Sequence, residues 1–226
     1  MFVAAVLHMR YNVFQKGMSK MQAGGIRMPR QKRSMEKKEA IIQAGYRLFC
    51  SKGYYKTNTA EIAQAAGVST GIIYNYFCDK KDILKEAVGL YILSLEQRLD
   101  SIWSGSVSRE NLPELVGRLF DALAASHTMD ASAHDEFLAL ALLEPEIREA
   151  FSAFERRLMG RARGRLAASG FSQPYLEEKL RISFGIMEQV CHDYIRLKID
   201  RAQMKRERLI AVNTIAALLN EEGGKA

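Results

Sequence analysis

The sequence predicts an all-α protein of about nine helices. Three observations carry this. Apolar residues recur three and four apart through most of the 226 residues. Asn, Ser, Asp or Pro stands ahead of these runs, and Gly or Pro closes them. No segment alternates polar and apolar residues as a half-buried strand does.

Residues 1–34 lack helical periodicity, contain Gly24-Gly25 and carry Met9, Met18, Met21 and Met28. They read as a disordered basic extension, with Met18, Met28 or Met35 as alternatives to Met1 for the working start. Arg27–Lys38 is basic enough for a flexible arm along the minor groove, or for a tail that adds only non-specific affinity. The first helix is expected over Glu36–Ser51, with Ile41, Ala44, Leu48 and Phe49 inward and Gly53 as its stop. One of Tyr54 and Tyr55 should pack beneath it.

The next stretch, EIAQAAGVSTGIIYNYF (Glu61–Phe77), reads as two short helices joined by a tight turn. Asn58 and Glu61 make a capping-box pattern for a helix to about Ala66. Gly67 stands where the chain must leave that helix, and Ser69 is an N-cap for a second helix to about Phe77. Ile73 and Phe77 then face inward. Thr70, Gly71, Tyr74 and Asn75 face outward, a set of hydroxyls, an amide and a glycine suited to phosphates and base edges.

The order A-G-V-S-x-G-x-x-Y-x-Y-F followed by D-K-K-D-I-L, with the helix from Ile41 to Phe49 and Thr57-Asn58 upstream, resembles the N-terminal domain of TetR-family transcriptional regulators. The match runs from roughly residue 35 to 88. It implies a helix-turn-helix DNA-binding domain over 35–88 and an effector-binding and dimerisation domain over 89–226. It also implies DNA contacts at Thr57, Asn58, Ser69, Thr70, Gly71, Tyr74, Asn75, Tyr76 and Lys80. Tyr74, Tyr76 and Lys80 would chiefly hold phosphates, while Thr70, Gly71 and Asn75 approach the bases. Asp79 should cap the following helix, with Lys80 in its first turn against the dipole.

Charge agrees with this placement. Residues 1–86 hold 15 Lys/Arg against 6 Asp/Glu, whereas residues 87–226 hold 18 against 20. The basic surplus thus coincides with the helix-turn-helix, where phosphates need neutralising. Cys50, Cys78 and Cys191 are scattered, odd in number and form no CxxC, which argues against a disulfide framework or a zinc site and for a reducing cytoplasm. No apolar run approaches the ~20 residues that cross a membrane, so no membrane partner is expected.

The remaining chain divides into Asp79–Ser104 as a long lever helix, Glu114–Ser126, Asp130–Leu143, Pro145–Ala168, Tyr175–Ile199 and Ala202–Asn220. The last two helices are apolar on more than one face, and one core buries only one stripe. In TetR-like proteins they pair into a four-helix bundle, implying a homodimer through Leu180, Phe184, Gly185, Ile186, Leu209, Val212, Ile215 and Leu219. The resemblance also implies a pocket for a small apolar or amphipathic effector. Its candidate lining is Phe120, Phe137, Phe151, Phe154, Met159, Phe184 and Met187, with Glu96, His127 and His192 as orienting polar groups.

Nothing in the sequence supports catalysis: G-x-S-x-G, H-E-x-x-H and a phosphate loop are all missing. His127, His134 and His192 show no ligand spacing, so no metal or cofactor is expected. Arg157, Arg161 and Arg165 share a helix face that would meet an anionic ligand or remain a solvated face. The expected activity is a ligand-relieved repressor on a palindromic DNA operator. A helical adaptor without specific DNA binding, or an all-α enzyme, are the alternatives.

Overall fold

The computed structural model describes residues 28–103, 106–129, 131–171, 174–197 and 199–221. Among these residues there are nine α-helices and no strand. In chain order they are α1 (Met28–Lys52), α2 (Thr59–Ala66), α3 (Thr70–Ile73), α4 (Lys80–Asp100), α5 (Leu112–Met129), α6 (Ala131–Leu143), α7 (Pro145–Ala168), α8 (Leu176–Arg196) and α9 (Arg201–Asn220). A 3₁₀ turn, Ser101–Trp103, follows α4.

The described residues form two compact units. One comprises the chain up to Ser94 together with Ser132–Ala150, and the other Leu95–Ala131 together with Phe151 onward. This differs from the linear division at residues 88 and 89, because α6 and the start of α7 pack with the helix-turn-helix. The first helix also departs from expectation: it begins at Met28 rather than Glu36, so Arg30–Lys38 is helical and not a flexible arm. Arg, Gln and Lys are good helix formers, and a basic run needs no apolar stripe to extend a helix already anchored further on. The expectation for residues 1–27 lies outside the described residues.

In the first unit Ile41, Ile42, Phe49, Ile62, Ile73, Phe77, Ile83 and Leu84 are buried. α1 and α4 meet at Gly45, where a Cβ would stand 2.6 Å from Ile83 Cγ2. Phe137 of α6 is fully enclosed and packs edge-on against Tyr46 and Tyr91 at 5.7 and 5.6 Å. Tyr91 Oη lies 2.7 Å from Nδ1 of the buried His134. The Tyr54 N–H donates to Glu136 at 2.6 Å, and the Tyr55 hydroxyl donates to Glu144 at 3.1 Å. Lys81 pairs with Glu144 at 3.0 Å and Lys85 with Glu146 at 3.1 Å.

The second unit is built on α5, α8 and α9, which pack on one another. Leu112, Val116, Leu166, Leu180, Val212, Ile215 and Leu219 form one buried cluster, and Phe120, Leu123, Cys191 and Ala211 form another. Burial pushes the Cys191 thiol up to about 12, so it stays protonated as a small apolar side chain. Arg208 clamps Asp121 with Nε at 2.6 Å and Nη2 at 2.7 Å, tying α9 to α5. Asp200 caps α9 by accepting the Gln203 N–H at 2.7 Å.

Candidate nucleic-acid interface

The helix-turn-helix is assembled by local chemistry. Asn58 accepts the Glu61 N–H at 3.0 Å while Glu61 accepts the Asn58 N–H at 3.1 Å, the reciprocal box the spacing predicts. A hydrogen bond from Lys52 holds the Glu61 carboxyl below its ordinary range, with the Asn58 amide adding to the effect. Gly67 is left-handed at φ 68°, and its N–H with that of Val68 closes α2 on the Gln64 and Ala63 carbonyls. Only glycine takes that conformation without strain.

The second helix is shorter than the sequence suggests. α-Helical bonding covers Thr70–Ile73, after which Asn75 and Tyr76 donate to Ile72 and Ile73 in tight i→i−3 turns. The polar Tyr74-Asn75 pair leaves the last turn no apolar stripe beyond Ile73 and Phe77, the two residues that do bury. Ser69 has the extended conformation of an N-cap, but its side chain makes no capping bond.

The outward face is as expected. Asn58, Ser69, Thr70, Gly71, Tyr74 and Asn75 are all exposed, from the N-cap of α2 through the turn and α3 to the residues just after it. The Tyr74 hydroxyl lies 3.3 Å from Thr59 Oγ1, and the Tyr76 hydroxyl 3.0 Å from Ser34 Oγ. These bonds orient both phenols at the rim of the face and leave each oxygen further hydrogen-bonding capacity. A Cβ on Gly71 would meet nothing closer than Ser69 Oγ at 4.0 Å. Internal packing therefore does not demand glycine there. A helical glycine costs about 1 kcal/mol relative to alanine, which makes sense where an outside backbone must come close.

Two of the expected contacts are engaged within the fold. Thr57 is only 2% exposed, and its hydroxyl donates to the Gly53 carbonyl at 2.8 Å, so it braces the turn between α1 and α2. Lys80 folds back under the same turn. Its ammonium donates to the Tyr54 and Thr57 carbonyls, each at 2.8 Å, and lies 4.1 Å from the centre of the Tyr54 ring. Partial burial lowers its pKa. The Tyr54 carbonyl also accepts the Thr57 N–H at 3.2 Å, so the ammonium at the start of α4 is a second donor to it as well as a donor to the Thr57 carbonyl. Asp79 does cap α4, accepting the Asp82 N–H at 2.9 Å.

In the second unit a cavity of about 60 Å³ is lined by leucines, Val116, Ala162, Ile215, Trp103, Met159, Phe184 and Met187, with Ser183 the one hydroxyl. Of the expected effector contacts, Met159, Phe184 and Met187 line it. Phe120 is buried in the core instead, Phe137 belongs to the core of the other unit, and Phe151 and Phe154 are outside the lining. Aromatic residues at helical spacing filled cores here because their faces point inward whether or not a cavity is present. Glu96 accepts from Arg157 Nε at 2.8 Å, and Arg161 reaches Asp100 at 3.3 Å. Arg165 lies over the Trp103 ring at 5.3 Å. The arginine face is thus met by the chain's own carboxylates and indole.

Of the expected dimer contacts, Leu180, Val212, Ile215 and Leu219 are buried in the chain's own core, whereas Phe184 and Ile186 are half-buried. Gly185 and Leu209 are exposed, and they are joined by Ile182 (52% exposed) and Ile210. At ~100° per residue Leu209 lies about 120° around α9 from Ile215, so one stripe could not include both. Sequence reasoning missed a further grouping. His127, Glu188 and His192 come together, although the expectation was of no ligand spacing among the histidines. The one visible signal was Glu188 and His192 four residues apart on one helix.

Comparison with known proteins agrees with the fold and with the helix-turn-helix. Residues 41–87 match the family model described as bacterial regulatory proteins, tetR family. The chain is 41% identical over 92 residues to the HTH-type transcriptional regulator HbdR of Aromatoleum, covering 40% of this chain and 37% of that protein. It is 33% identical over 93 residues to the fatty acid metabolism regulator protein of Bacillus subtilis, covering 39% and 46%. These matches span less than half the length of either relative. A TetR-family regulator from Mesorhizobium loti superposes with a TM-score of 0.65 at 24% identity, over 82% of this chain and 98% of that one. A transcriptional regulator from Streptomyces coelicolor gives 0.68 at 20% identity, over 82% and 99%. At these identities the solved structures speak for the fold, and the family model speaks for the helix-turn-helix. Residues 41–87 of this chain thus carry the helix-turn-helix of the tetR family of bacterial regulatory proteins, within an all-helical fold shared with solved TetR-family structures.

Proposed function

We propose that this chain is a cytoplasmic transcriptional regulator that binds a two-fold operator as a dimer and releases it when a small apolar or amphipathic effector binds. The observation that carries DNA binding is the exposed polar set Ser69, Thr70, Gly71, Tyr74 and Asn75, on a helix-turn-helix whose own packing does not require Gly71. Such a face offers hydroxyls and an amide to base edges, and a glycine lets the backbone approach. The net surplus of Lys and Arg in residues 1–86 supplies the salt-dependent part of the affinity.

A second copy is supported by Ile182, Leu209 and Ile210, large apolar side chains exposed on two neighbouring helices. Two heads related by a two-fold axis match a palindromic site. The effector reading is supported by the apolar cavity. At about 60 Å³ it falls well short of the ~300–1,000 Å³ of a typical ligand pocket. A ligand must therefore favour a state in which Met159, Phe184 and Met187 have moved aside. A ligand that prefers this state lowers DNA affinity, and DNA lowers ligand affinity by the same factor.

The test is a gel-shift titration on the DNA upstream of the chain's own gene across a salt series. The expected outcome is a discrete dimer complex, competed poorly by unrelated DNA, whose affinity falls steeply with salt. Equal binding to any DNA, or none, would favour a helical adaptor and end this reading. Trp103 lines the cavity, so effector entry should change its fluorescence over the concentration range that releases DNA.

A further inference from the structure

We propose that His127, Glu188 and His192 form a binding site for one divalent transition-metal ion of the zinc class. All three belong to the same compact unit. Glu188 and His192 stand one turn apart on α8, the spacing that puts two side chains on one helix face. His127 reaches them from the last turn of α5, which packs on α8. Their ligand atoms lie within 4.8 Å of one another.

The distances fit an ion better than a set of hydrogen bonds. Glu188 Oε2 is 3.4 Å from His127 Nε2 and 3.6 Å from His192 Nε2. Both exceed the usual 2.7–3.2 Å of an N–H···O bond. Zinc bonds of about 2.0–2.1 Å to nitrogen and 2.0–2.2 Å to oxygen set tetrahedral edges of about 3.3–3.5 Å. The observed separations are close to those edges. The two rings also stand close, with centroids 5.0 Å apart, and His127 is only 1% exposed. A metal ion takes both rings in their neutral form.

The tautomer of His127 is already the one a metal requires. Nδ1 lies 2.8 Å from the Leu123 carbonyl oxygen, which can only accept, so Nδ1 carries the proton. In the neutral ring Nε2 then directs its lone pair toward Glu188. Anchoring the far nitrogen of a ligating histidine on a backbone carbonyl is how metal sites fix ring orientation. Two imidazoles and one carboxylate suit zinc, cobalt or nickel over magnesium or calcium, which prefer oxygen ligands alone. Three protein ligands leave a fourth tetrahedral position to water or an anionic group.

The experiment titrates metal-free full-length chain with Zn²⁺ by calorimetry and with Co²⁺ by visible absorption, in the absence of DNA. The parent should take up one ion per chain, with the intense d–d bands of tetrahedral Co²⁺. Glu188→Gln and His192→Gln should each lower affinity by at least about tenfold while keeping the parent's metal-free circular dichroism and melting temperature. The two sites are half-buried rather than enclosed, which makes them safer to vary than His127. No stoichiometric uptake by the parent would overturn the site. Uptake unchanged in both variants would place the ion elsewhere and overturn it equally. Neither outcome bears on operator binding, which is read separately.

Discussion

A methyl group added to Gly45 would stand 2.6 Å from Cγ2 of Ile83, a fully buried and β-branched side chain with little room to turn aside. α1 and α4 thus cross at a separation that only glycine allows. Gly45→Ala gains up to ~1 kcal/mol in helix propensity but forces the two helices apart, and overpacking of this kind costs about 1–3 kcal/mol. The expected result is a net loss of stability in urea denaturation. A variant as stable as the parent would mean the crossing relaxes freely.

Gly71 presents the reverse case. With 4.0 Å to the nearest neighbouring atom, Gly71→Leu should leave the melting temperature unchanged or slightly raised. Operator affinity should fall by at least about 100-fold, approaching the non-specific level that lies ~10³–10⁷ below specific binding. Fluorescence anisotropy on the operator checks this. Normal binding by the variant would show that the α3 face points away from DNA.

Lys80 is expected to act on the fold rather than on phosphate. Lys80→Met keeps the aliphatic stem but removes both 2.8 Å bonds to the Tyr54 and Thr57 carbonyls. Hydrogen bonds to charged groups contribute roughly 1.5–3 kcal/mol each where desolvated, and less at a half-exposed site. Chemical denaturation should therefore show a loss of about 1–2 kcal/mol. The slope of log affinity against log salt should stay as in the parent. A slope flattened by about one unit would put the ammonium on the DNA backbone after all.

Leu209 and Ile215 separate the surface of α9 from its core. Leu209 is 58% exposed and Ile215 is 1% exposed. Leu209→Glu should fold normally but sediment as a monomer, because the charge falls on the face that the proposed second copy covers. Ile215→Asp should unfold the chain, since an unpaired carboxylate in the core costs several kcal/mol. A parent that is monomeric at micromolar concentration, or a Leu209→Glu dimer, would show that this face has another use.

Much of the fold could be read directly from the chain. The Asn58–Glu61 box, the left-handed Gly67 and the outward Thr70, Gly71, Tyr74 and Asn75 all follow from residue chemistry within a few positions. What escaped was set at longer range. Thr57 and Lys80 look like polar residues offered to DNA, yet both donate to backbone carbonyls of the turn between α1 and α2. Helical geometry alone puts Leu209 and Ile215 on different faces of α9, but only its seating on α5 and α8 decides which of those faces is buried. His127 and Glu188 are 61 positions apart, and only the packing of α5 on α8 brings them together.

The bond from the Tyr54 amide to Glu136 joins positions 82 apart, linking the turn that launches α2 to the body of α6. α6 advances ~1.5 Å per residue, so sliding it by a single step would pull that 2.6 Å contact beyond hydrogen-bonding reach unless the turn moved too. Leaving the part-buried amide without its acceptor costs about 1–3 kcal/mol, a factor of roughly 5 to 150 in any equilibrium that distinguishes the two positions. The register of α6 and the position of the turn that launches α2 are therefore coupled through this bond. A spectroscopic label on α6 would read the state of the recognition face without touching it.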